Sequence, residues 1–168
     1  MGVLWEYLSE KAAEHPKQIL REGKRQVTYT ELLGQVEALA KQLIPHRKYG
    51  IRCDSEMNCA IGILACFSAG AIATPMSKRY GIAHCKKIIT SIQFSWMITD
   101  NGIEQFHDET PEQDDLTGTA IIMCTSGTTG TPKGVKLSEQ NLLSNMLAIQ
   151  NYEFWHRLLF NRFGGEGL

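Results

Sequence analysis

The chain is 168 residues long, and its 17 basic and 18 acidic side chains leave a formal net charge of −1. That balance offers neither the basic field that draws nucleic acid nor a polybasic membrane patch, whereas 43% hydrophobic residues are enough to build one folded core. Glu6, Glu10 and Lys11 interrupt the start, so no secretory signal is expected, and Glu6 stands where a myristoylation pattern needs Ser or Thr.

Thr28-Tyr29-Thr30-Glu31 reads as a capping box, after which Leu32, Val36, Leu39 and Leu43 form one helical stripe that Pro45 stops. Tyr49 to Cys53 predicts a short strand. Ser55 is placed to cap a helix running through Ala69, apolar on nearly every side from Ala60 to Phe67. Such a helix is expected to pack on two sides, and it is too short to span a bilayer. Gly70 ends it, and Ala71 to Thr74 predicts the next strand. Ile82, Cys85, Ile89 and Ile92 recur at helical spacing, followed by a strand over Phe94 to Thr99 and a turn at Asn101-Gly102. From Glu104 to Asp115 there are six acids and no Lys or Arg, at spacings too irregular for metal ligation, so a solvated flexible loop is expected. Ala120 to Cys124 predicts a strand, and Ser138 caps a helix carrying Leu142, Leu143, Met146 and Ile149. The alternation of helical and strand periods predicts an α/β fold with a mainly parallel sheet flanked by helices.

Cysteines stand at 53, 59, 66, 85 and 124 with no Cys-x-x-Cys pair, and His84 beside Cys85 makes no ligand set. Buried free thiols in a reducing cytoplasm are the expectation. The five histidines adjoin no Ser/Asp constellation, so a hydrolase triad has no support.

The densest chemistry lies in Thr125-Ser126-Gly127-Thr128-Thr129-Gly130-Thr131-Pro132-Lys133-Gly134, between the predicted strand and the Ser138 helix. Glycines let a backbone turn tightly and bring its N–H groups to an anion. Hydroxyls donate to phosphate oxygens, and Lys133 adds a mobile positive charge. A Walker A loop is excluded because Lys133 follows Pro132 and precedes Gly134. A Rossmann fingerprint fails because position 125 is Thr, so Gly127 lacks its preceding glycine. The composition predicts an exposed, triphosphate-cradling loop over 125–134.

Ile122 to Val135 resembles the phosphate-binding signature of the adenylate-forming superfamily, which includes acyl-CoA synthetases, peptide-synthetase adenylation domains and beetle luciferases. Val27-Thr28-Tyr29-Thr30-Glu31-Leu32 resembles that family's early helix start, and Leu64 to Pro75 its buried helix, glycine and strand. All three occur in the family's order, so the resemblance covers about residues 1–150. It implies the N-terminal part of an adenylating enzyme's large domain. It also implies ATP-dependent activation of a carboxylic acid to an acyl-adenylate with release of pyrophosphate. Transfer to a thiol usually follows, on coenzyme A or a carrier protein's phosphopantetheine arm. Carried over to this chain, Thr125, Ser126, Gly127, Thr128, Thr129, Gly130 and Lys133 would contact the phosphates of ATP, and the Thr125 hydroxyl would lie nearest a magnesium ion. No catalytic residue is assigned.

The resemblance also implies what is not among these residues. Such enzymes are much longer, and their acid pocket, adenine contacts, magnesium-binding glutamate and catalytic lysine cannot fit into 151–168. The chain is therefore expected to be the opening portion of such an enzyme and inactive alone. Residues 151–168 hold Tyr152, Phe154, Trp155, Phe160 and Phe163 and close on Gly164-Gly165-Glu166-Gly167-Leu168. They do not align with the family pattern and read as a divergent, truncated or non-native tail. That tail is expected to be a hydrophobic segment without its partner rather than an aromatic platform for nucleic acid. Three function classes stay open: part of an AMP-forming ligase, a non-catalytic nucleotide- or phosphate-binding module, and a structural remnant. Self-association, by exchange of the tail or of the 138–150 helix, is expected to cover apolar faces.

Overall fold

A computed structural model describes residues 2–106, 116–125 and 132–150. Its helices are α1 (Val3–Glu14), α2 (Tyr29–Ala40), α3 (Glu56–Ala69) and α4 (Ile82–Ile92), with α5 over residues 139–150. Its strands are β1 (Ile19–Glu22), β2 (Arg25–Thr28), β3 (Lys48–Ile51), β4 (Ile72–Pro75), β5 (Trp96–Thr99), β6 (Gly102–Gln105), β7 (Thr119–Thr125) and β8 (Lys133–Ser138). β1 and β2 form a separate antiparallel hairpin, and the main sheet runs β6-β5-β3-β4-β7-β8. Its inner strands are parallel, β3 with β4, β3 with β5 and β4 with β7. Both outer pairs, β5–β6 and β7–β8, are antiparallel.

Helices cover both faces, as expected for a parallel set. Ile51, Ala73, Ile98 and Ile121 belong to the core shared with α1, α2 and α3. Ile72, Phe94 and Ile122 belong to the core under α4. Residues one apart on a strand point to opposite faces, which is why Ile121 and Ile122 serve different cores. α3 fits close to the sheet because Gly62 has no side chain: a Cβ there would stand 3.2 Å from both Ile51 and Ile98.

Local signals set several of these elements. Thr28 accepts from the Glu31 N–H while the Glu31 carboxylate accepts from the Thr28 N–H, the reciprocal pair that starts α2. Ser55 accepts from the Asn58 N–H, and α3 ends on Gly70 in the left-handed region at φ 67°. Ser138 and Asn141 exchange the same kind of bonds at the start of α5.

Other expectations need correction. Ile82 is 77% exposed and Ile88 fully buried, so the α4 stripe runs Cys85–Ile88–Ile92, and Ile82 in the first turn lies off the sheet. Ile149 is likewise 60% exposed, although Leu142, Leu143 and Met146 pack on the core. Glu104 and Gln105 are not loop residues; they form β6 against Met97 and Trp96. The turn is Asp100-Asn101, and Gly102 opens the return strand at φ 116°, which a side-chained residue would adopt only under strain. The remainder of the acidic run, 107–115, and the tail 151–168 lie outside the described residues.

α1 carries no capping side chain of its own. The Glu139 carboxylate at the start of α5 accepts from the Leu4 N–H at 3.2 Å, and Tyr7 donates to the Gln150 side chain at 2.8 Å. The chain's first and last described helices are thus bound side by side.

Candidate functional site

In a parallel sheet with helices on both faces, the carboxyl ends of the strands form the usual binding edge. Here that edge is made by Ile51, Pro75, Thr99 and Thr125, the last residues of β3, β4, β5 and β7. Thr125 is paired with Lys133, the first residue of β8. The predicted 125–134 loop is therefore shorter than expected, because antiparallel pairing continues to its neck and Lys133 and Gly134 belong to a strand. Pro132 is buried, while Thr125 and Lys133 are exposed. Ser126, Gly127, Thr128, Thr129 and Gly130 lie outside the described residues.

Strand alternation sorts the neck. Gly134 faces α4, since a Cβ there would lie 2.5 Å from Ile92 Cδ1 and 2.7 Å from Ile122 Cγ2. Lys133 consequently faces the opposite side, as do its pair Thr125 and the next pair of that face, Met123 and Val135. The Thr125 hydroxyl donates to the Lys133 carbonyl at 3.3 Å. A hydroxyl has one proton, so in this pose its oxygen offers lone pairs, which suit a cation.

α4 contributes a group that no sequence pattern pointed to: Ser91 Oγ donates to the Pro132 carbonyl at 2.6 Å. Beside it, a depression of about 310 Å³ is lined by Lys86, Lys87, Thr90 and Ser91. Lys48, 3% exposed, donates to the Ile92 carbonyl at 2.8 Å.

Elsewhere the polar groups serve the fold. Asp100 accepts from the Asp54 and Ser55 N–H groups and from the Asn58 amide, and the Asn58 bond leads in holding its carboxyl below the usual aspartate range. Glu22 accepts from Ser55 Oγ, which chiefly lowers its pKa, and from the Glu56 N–H. The five cysteines are free thiols as expected, three buried and Cys59 and Cys124 half-buried. Burial pushes Cys53 and Cys66 up to about 12 and also raises Cys59 and Cys124, so these thiols stay protonated and are poor nucleophiles. Among the described residues there is no cluster of three His, Cys, Asp or Glu able to hold a metal, and no helix long and apolar enough to cross a membrane.

A helix-covered, mainly parallel sheet with an exposed hydroxyl–lysine pair at its carboxyl edge places the chain in the α/β class. A family model described as AMP-binding enzyme matches residues 8–116 and 99–161, and the chain belongs to that family. It is 26% identical over 172 residues to tyrocidine synthase 3 of Brevibacillus parabrevis, covering 86% of this chain and 3% of that protein. It is 26% identical over 147 residues to the putative long chain fatty acid-CoA ligase VraA of Staphylococcus epidermidis, covering 84% of this chain and 32% of the relative. O-succinylbenzoate coenzyme A synthetase (MenE) from Bacillus subtilis, solved with ATP and a magnesium ion, superposes with a TM-score of 0.60 at 20% identity, covering 80% of this chain and 42% of that one. At that identity the likeness is one of fold. The chain spans less than half the length of each.

Proposed function

We propose that these residues carry the triphosphate-binding part of an ATP-dependent, AMP-forming acid–thiol ligase. In this reading Thr125, Ser126, Gly127, Thr128, Thr129, Gly130 and Lys133 hold the phosphates of ATP, with Thr125 against magnesium. The observation that carries it is the Thr125–Lys133 pair at the carboxyl edge of the parallel strands, in a chain of the AMP-binding family.

Lys133 provides a point charge on a flexible stem, suited to a phosphate that shifts as a bond to it breaks. The Thr125 oxygen offers lone pairs to a cation. One hydroxyl fits magnesium, which retains phosphate oxygens and waters as its other ligands and needs no all-protein cage. When bound, the ion neutralises charge on the phosphate oxygens. The protein's contribution is position and electrostatics rather than a covalent intermediate. One curated relative is named as a fatty acid-CoA ligase, which supports a carboxylic acid as substrate and coenzyme A as acceptor. A carrier-protein thiol is the other acceptor that the family resemblance implies.

Titration calorimetry of the 168-residue chain tests this reading. Mg-ATP should bind, and Lys133→Ala should lose roughly 1.5–3 kcal/mol, about 10- to 150-fold. Equal affinity of the two proteins would remove Lys133 from the site. Self-association also belongs to the proposal: among the described residues β8 is an outer strand of the sheet, and Met123 and Val135 on its hairpin are 43% and 45% exposed. A mass that stays monomeric by light scattering up to tens of micromolar would sink that part.

A further inference from the structure

The segment Pro132-Lys133-Gly134 is seated on the last turn of α4 by its two outer residues. Pro132 accepts the Ser91 hydroxyl at 2.6 Å, and Pro132 itself is buried. Gly134 lies so close to the helix that a Cβ would meet Ile92 Cδ1 at 2.5 Å. The helix end is anchored in turn, because the Ile92 carbonyl accepts from the buried Lys48 ammonium of β3 at 2.8 Å. Between these two contacts only the Lys133 side chain points away, to the face it shares with Thr125.

We infer that Ser91 is a positioning residue for Lys133, its hydroxyl fixing the Pro132 carbonyl and thereby the direction in which the lysine leaves the strand. The inference rests on the triphosphate reading above. Proline makes the device efficient: its ring fixes φ, so the direction of its carbonyl depends on ψ, which the Ser91 bond holds. Ser91 touches no phosphate in this scheme; it acts through the backbone.

The test is Mg-ATP titration of the full chain with Ser91→Ala, Ser91→Thr and the exposed neighbour Thr90→Ala. Ser91→Ala should weaken binding about five- to ten-fold, the worth of one hydrogen bond, while Ser91→Thr restores it and Thr90→Ala leaves it unchanged. In a Lys133→Ala background the Ser91→Ala loss should vanish, because its effect runs through that lysine. In the nucleotide-free protein, amide exchange at Lys133 and Gly134 should quicken in Ser91→Ala but not in Ser91→Thr. Wild-type affinity in Ser91→Ala, unchanged exchange, or an equal loss with Lys133 absent would each overturn the inference. No Mg-ATP binding by wild type would instead sink the triphosphate reading, and the positioning role with it.

Discussion

Asp100 and Thr125 each stand where a parallel strand of one sheet ends, yet the fold treats them in opposite ways. Asp100 is consumed by its own protein: two backbone N–H groups and the Asn58 amide turn inward to it, tying the β5–β6 turn to the start of α3. At the end of β7, Thr125 makes one long bond to a backbone carbonyl, and the Lys133 ammonium has no partner among the described residues. Polar residues at a binding edge are therefore not equivalent. A carboxylate already holding a helix N-terminus has its charge matched by N–H groups, whereas an exposed ammonium beside a half-used hydroxyl keeps its capacity for a ligand.

Charge reversal should separate the two ends most sharply. Lys133→Glu replaces an attractive charge with one that repels phosphate, and Mg-ATP affinity should fall about 100-fold or more. The thermal midpoint should hold, and a large drop in it would place Lys133 in the stability network instead. Asp100→Ala should do the converse, removing a helix-cap acceptor at a cost of about 1 kcal/mol while ATP affinity stays within about two-fold.

The pH dependence of that second change has a definite sign. Asp100 is held below its ordinary value of 3.8, so it contributes stability above that pH and loses the contribution as pH falls through its lower folded-state pKa. Denaturation midpoints of wild type and Asp100→Asn should accordingly converge below about pH 4, and a gap that stays constant with pH would deny the carboxylate its role.

Thr125→Val sharpens the comparison at the other end. Losing the hydroxyl should lower ATP affinity several-fold in magnesium and little in its absence, and an equal loss in both would mean direct contact with phosphate. The smallest effect belongs to Thr74, fully buried near the carboxyl end of β4 with its hydroxyl unpartnered among the described residues. Thr74→Val keeps the shape and removes an uncompensated polar atom, so stability should rise by up to about 1 kcal/mol. A lower melting temperature would show that the hydroxyl is satisfied.

What was legible in the chain was legible for local reasons. Thr28 with Glu31, Ser55 ahead of its helix, Gly70 at a left-handed position and Ser138 before α5 all act within a few residues, and each sits where its own backbone needs it. Alternating periods carried the helix-covered, largely parallel sheet for the same reason. The hydroxyl- and glycine-rich run singled out Thr125 and Lys133, and the pairing of β7 with β8 sets the two side by side.

Tertiary structure decided the rest, because it depends on partners distant in the chain. Periodicity alone could not choose Ile88 over Ile82, since both suit an α4 stripe and only the sheet's position buries one. Nothing in α1 revealed that Glu139 would cap it from 135 residues away. Lys48, a charged residue that no local pattern marks as buried, goes inside because the Ile92 carbonyl at a helix end, 44 positions along the chain, lies within its reach. Ser91, one hydroxyl in an ordinary amphipathic helix, gained its role only when pairing of β7 with β8 carried Pro132 back to it, 41 positions along the chain.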